Sequence, residues 1–104
     1  MDYIAELSNY LDEEGMLTLF PAKKKYKILS LMYLAGKFKP GVSYTEKEVN
    51  EIIEQNHTFG DKWLLRRELI DRGFLKRFTD GSKYWMNEKQ PTLQDFGIEF
   101  KNEL

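Results

Sequence analysis

A chain of 104 residues, 41% hydrophobic and 32% charged with a net charge of −1, has material for one core but not for two. The lack of cysteine excludes disulfides and thiolate zinc sites, and the near-neutral balance excludes a protein that coats nucleic acid by charge alone. There is no run of about 18 apolar residues and no basic-then-apolar leader, so neither a membrane span nor secretion is expected and a cytoplasmic location is the default.

Tyr3, Ile4, Leu7 and Leu11 recur at helical spacing and predict an amphipathic helix over residues 2–11, ending before Gly15. Residues 17–20 (Leu-Thr-Leu-Phe) predict a short strand, expected to join the hairpin described below. Pro21 suits the first turn of a helix over 22–36, whose second half from Ile28 to Ala35 is apolar on most sides and is expected to be the most buried element. Lys39-Pro40-Gly41 breaks the chain before Thr45 and Glu48, a capping box that opens a helix over 46–55. A further helix over 62–72 is preceded by Asp61 and stopped by Gly73, which can take a left-handed turn and let Phe74 fold back on Leu69. Residues 74–86 then read as a two-stranded hairpin turning at Asp80-Gly81.

Helix, turn, second helix and hairpin, in that order, predict a winged helix-turn-helix. The fold class is mainly α with a small β-hairpin (α+β), carrying an extra N-terminal helix and a short C-terminal helical tail. Residues 1–87 are expected to form the winged-helix-like domain and 88–104 the tail. Thr92 can cap a short helix that places Leu93, Phe96 and Phe100 on one side. That stripe is expected to dock either on its own core or, in a homodimer, on a second copy; a regulator protein is the other candidate partner.

Leu19-Phe20-Pro21-Ala22-Lys23-Lys24-Lys25, Tyr44-Thr45-Glu46-Lys47-Glu48-Val49-Asn50, Leu65-Arg66-Arg67-Glu68-Leu69-Ile70-Asp71 and Tyr84-Trp85 together resemble a bacterial family known as domain of unknown function 2087. The resemblance runs from about Leu11 to Trp85. It implies a winged-helix fold and a transcription-regulatory setting, since members of that family stand alone or are joined to helix-turn-helix regulators.

Charge alternates along the chain: acids to residue 14, lysines from 23 to 39, acids through the helix at 46–55, then arginines and lysines in the next helix and the hairpin. Solvated faces that attract one another account for part of this pattern. The leading functional expectation is a non-catalytic domain that binds duplex DNA or works in transcription regulation, with Lys62, Arg67, Arg77 and Lys83 reaching phosphate or base edges. Lys23, Lys24 and Lys25 form a second patch, which either meets a phosphate at the helix start or answers Asp12-Glu13-Glu14 upstream. Arg66 falls nearer the buried side of its helix, where it either reads a base or pairs with Asp71 or an acid of the preceding helix. The aromatics of the hairpin fit a core face better than a stacking role.

The alternative is a protein-interaction module on the same scaffold. His57 reads as a satisfied or exposed loop histidine. No phosphate loop, nucleophile elbow, metal-ligand spacing or paired carboxylates are seen, so neither catalysis nor a cofactor nor a metal is expected.

Overall fold

The computed structural model of the chain describes the backbone of residues 3–99 and the side chains of residues 5–99. The fold is α+β: α1 (Tyr3–Glu6), a 3₁₀ turn (Ser8–Tyr10), α2 (Lys24–Ala35), β1 (Ser43–Tyr44), α3 (Glu46–Glu54), α4 (Lys62–Asp71), β2 (Leu75–Arg77), β3 (Tyr84–Met86) and a last 3₁₀ turn (Gln94–Phe96). The three strands form one antiparallel sheet in the order β1-β3-β2.

The expected first helix is shorter than its periodicity suggests. It stops at Glu6, Leu7 enters a 3₁₀ turn, and Leu11 is already extended. Serine and asparagine are poorer helix formers than the residues immediately before them, so Ser8 and Asn9 do not favour continuing the helix. Asp12 then builds a turn by accepting from the N–H groups of Glu14 and Met16 at 3.0 and 2.8 Å. This turn sets Leu17 antiparallel to Leu11.

The expectation that residues 17–20 would join the hairpin is overturned. Leu17 pairs with Leu11 on one side and His57 on the other, donating to Asn56 and accepting from Thr58 at 2.8 and 2.9 Å. Thr18 turns both its N–H and its hydroxyl to the Tyr10 carbonyl, and Pro21 has no N–H to offer, so the extended pairing ends after one residue. The third strand is instead Ser43–Tyr44, which lies directly before the capped helix and pairs with β3.

α2 begins at Lys24, two residues later than expected, with Pro21 outside it and Lys23 extended and making no side-chain cap. It runs through the centre of the molecule, burying Ile28, Leu29, Leu31, Leu34 and Ala35. Ser30 is buried with them and donates its hydroxyl to the Tyr26 carbonyl at 2.7 Å, and among the described residues no buried side-chain polar atom lacks a partner. Val49 and Ile53 of α3, Leu65 and Leu69 of α4, and Phe74, Leu75 and Tyr84 of the hairpin complete this core.

The two joints around α3 and α4 form as the local chemistry dictates. The Thr45 hydroxyl accepts from Glu48 N–H at 3.1 Å while the Glu48 carboxylate accepts from Thr45 N–H at 2.8 Å. At the end of α4, Gly73 at φ +84° lets its own N–H reach Ile70 and the Phe74 N–H reach Leu69, at 3.1 and 2.9 Å. Those are the two bonds of a Schellman closure.

The C-terminal segment docks on the same core. Thr92 and Asp95 bond reciprocally, Leu93 is buried, and Phe96 stacks on Phe74 with centroids 5.9 Å apart. The helix expected to run on to Phe100 instead closes after one turn at Gly97, φ +72°. Phe100 and Asp2 lie outside the described residues.

Candidate nucleic-acid interface

The start of α4 is held by His57. Its ring accepts the Asp61 N–H at Nε2 (3.0 Å) and bonds the Ile53 carbonyl through Nδ1 (2.6 Å), so the partners assign a neutral ring with its hydrogen on Nδ1. The side chain is buried, edge-on to Phe59 at 4.7 Å. His57 is thus satisfied and pins the end of α3 to the start of α4, where the Asp61 carboxylate caps Leu64 N–H at 3.2 Å.

On α4, Trp63, Arg66, Arg67 and Ile70 follow the spacing i, i+3, i+4, i+7 and so share a face. Trp63 is 57% exposed, with the Lys62 ammonium and the Arg66 guanidinium each 4.9 Å from its ring centroid. Lys62 is also ion-paired to Glu54 of α3. Arg66 reaches back to α3 as well: Nη1 donates to Asn50 Oδ1 at 2.7 Å and lies 3.4 Å from Glu46 Oε1. Of the carboxylates open to Arg66, it is therefore the preceding helix and not Asp71 that holds it. Glu46 also accepts the Tyr84 hydroxyl at 3.2 Å.

Strand register sorts the cations of the hairpin. Leu75 faces Met86, Lys76 faces Trp85 and Arg77 faces Tyr84. Side chains alternate between faces, so Leu75, Arg77, Tyr84 and Met86 point inward with the helices. Lys76, Phe78, Lys83 and Trp85 point outward. Arg77 consequently enters the groove between α4 and the sheet, and Lys83 does not.

That groove, about 250 Å³, is lined by Trp63, Arg66, Arg67 and Ile70 of α4, Asp71 at its end, and Arg77 and Tyr84 of the hairpin. Three guanidiniums from two elements thus line one groove. Arg67 and Arg77 are exposed and have no ion pair among the described residues. Guanidinium forks in such a setting suit phosphate or base edges. Asp71 and Glu46 supply carboxylates beside them.

The second predicted patch sits elsewhere. Lys23 and Lys24 are exposed at the start of α2, whereas Lys25 lies 3.9 Å from Glu6 and over the Tyr26 ring, and Lys27 over Phe20. The acid facing this helix start is Glu6, while Asp12 is occupied with its own turn. At the hairpin tip Asp80 accepts from Ser82, chiefly through the serine side chain, which holds its carboxyl below the usual aspartate range.

Trp63 was not among the predicted site residues, although its spacing to Arg66, Arg67 and Ile70 is visible in the sequence. Among the described residues no group of His, Cys, Asp or Glu is placed to hold a metal, and no helix is long and apolar enough to cross a membrane. The model of a family of uncharacterized proteins conserved in bacteria, domain of unknown function 2087 (DUF2087), matches residues 16–86. The chain belongs to this family. No curated protein and no solved structure matches it. The DUF2087 match takes in α2 through β3, and with them the whole arginine groove, while α1 and the docked C-terminal turn lie outside it.

Proposed function

We propose that this DUF2087 protein is a non-catalytic winged-helix domain that binds duplex DNA, with α4 as the helix that enters the major groove. The order α2-β1-α3-α4-β2-β3 and the sheet order β1-β3-β2 support the winged-helix reading. The observation that carries the binding reading is the convergence of Arg66, Arg67 and Arg77 with exposed Trp63 on one groove. Arg67 is the candidate for base edges, Arg77 for the phosphates beside them, and Arg66, held by Asn50 and Glu46, keeps the groove wall in place.

Fluorescence anisotropy with random and genomic duplexes at low salt tests this. Binding should weaken steeply with salt, by about 0.9 in log–log slope for each phosphate neutralised. Arg77→Glu should weaken all sequences alike, and Arg67→Ala should also relax sequence preference. No binding at high micromolar protein overturns the reading. It would favour instead a protein-interaction module, for which Asp71 and Glu46 beside the arginines are the supporting observation, since they make the surface mixed in charge.

A further inference from the structure

The hairpin carries a second exposed surface that the groove does not use. On its outer face, Trp85 of the central strand lies between Ser43 of β1 and Lys76 of β2. Phe78 and Lys83 follow on the same face, paired through the Phe78 N–H bond to the Lys83 carbonyl at 3.0 Å. Phe78 is 50% exposed, Lys76, Lys83 and Ser43 are exposed, and Trp85 is half-buried. The Phe78 and Trp85 rings meet edge to face, centroids 5.1 Å apart, with Phe78 the more exposed of the two. No acidic residue belongs to these five outward positions. Asp80, at the tip, turns its carboxylate back onto Ser82.

We propose that this outer sheet face binds single-stranded nucleic acid, unpaired bases stacking on Phe78 and Trp85 while Lys76 and Lys83 hold the phosphates. The charge complementarity is with a polyanion, and the open rings select one that carries planar groups. A duplex keeps its bases stacked inside and offers grooves that admit a helix or ribbon, whereas a single strand can lay its bases on a sheet. The inference goes beyond the duplex reading, because it involves none of the groove residues.

The chain holds two tryptophans, Trp63 in the groove and Trp85 on the outer face, so single-tryptophan variants report the surfaces separately. The probe is an oligothymidylate of about 12 nucleotides, within the usual range for one binding fold. In Trp63→Phe protein it should quench Trp85 emission saturably at low salt, with the quench abolished by Lys76→Glu/Lys83→Glu and retained with Arg77→Glu. Phe78→Ala should weaken affinity by about tenfold, the scale of losing one stacking ring, and Phe78→Leu, which keeps apolar bulk without a π face, should weaken it nearly as much. In Trp85→Phe protein, Lys76→Glu/Lys83→Glu should leave the response of Trp63 to the same probe unaltered, because that ring lies in the groove and not on the outer face. An absent quench at high micromolar probe, a quench confined to Trp63, or self-association in sedimentation that protects Phe78 by placing a second copy on this face would each overturn the proposal. None of these outcomes depends on whether duplex DNA binds.

Discussion

Tyr84 and Trp85 are neighbours in β3, yet Tyr84 is 1% exposed and bonded to Glu46 while Trp85 stands on the opposite face with Lys76 beside it. The same division separates Arg77, inside the groove, from Lys83, outside it. A run that reads in sequence as cations interleaved with aromatics is therefore two surfaces of different chemistry. The inner one joins a packed core to an arginine groove, and the outer one is aromatic and basic. Strand register, more than composition, decides which residues can act together.

Truncating the inner face should cost far more than truncating the outer one. Tyr84→Ala removes a fully buried ring and should lower stability by about 3–5 kcal/mol in urea denaturation. Trp85→Ala should cost well under that. Equal losses would mean that the two faces are not distinct. Leu93→Ala should follow at about 2–5 kcal/mol, because this buried side chain anchors the C-terminal turn to the inner core. Removing everything after Gln90 should lower the melting temperature for the same reason, and an unchanged melting temperature would show the segment to be passive.

Smaller effects sharpen the comparison at its edges. Thr45→Ala deletes the cap that starts α3 and should cost about 1 kcal/mol by thermal unfolding. Asp80 and Asp95 have carboxyls held below the usual aspartate range, by Ser82 and by Thr92 respectively. A lowered folded pKa adds stability above the usual value and loses it as pH falls through the folded value. The double variant Asp80→Asn/Asp95→Asn should therefore show a slightly flatter decline of melting temperature on acidification from about pH 5 to pH 2. A slope identical to that of the unsubstituted chain would show that these two turns do not couple to folding.

The parts of the fold legible in sequence are those fixed by local chemistry. Thr45 with Glu48 needs only four consecutive residues to form its box, Gly73 only its freedom at positive φ, and Asp80-Gly81 only a tight turn. The misplaced third strand marks the limit. A two-residue strand carries too little pattern to choose a partner, and Leu17 found Leu11 and His57 because Asp12 and Thr18 turned the chain there. His57 looked unremarkable for a related reason, since its two partners are set by how α3 meets α4.

Within the candidate site, Arg67 and Arg77 were legible as exposed cations, but their union in one groove follows from inter-strand register. Lys62, already paired to Glu54, and Lys25, near Glu6, show the converse: charge in sequence is not free charge in the fold. The C-terminal turn was legible in Leu93 and Phe96, whose spacing of three survives even though Gly97 ends the helix early.

Arg77→Glu and Lys83→Glu change the net charge of the protein by the same amount and alter opposite faces of the hairpin. Duplex-DNA affinity measured for both by anisotropy in one low-salt buffer therefore tests the account most directly. The account predicts that Arg77→Glu loses at least about tenfold, the scale of reversing one charged contact, while Lys83→Glu stays close to the unsubstituted protein. Equal losses, or a greater loss for Lys83→Glu, would contradict it.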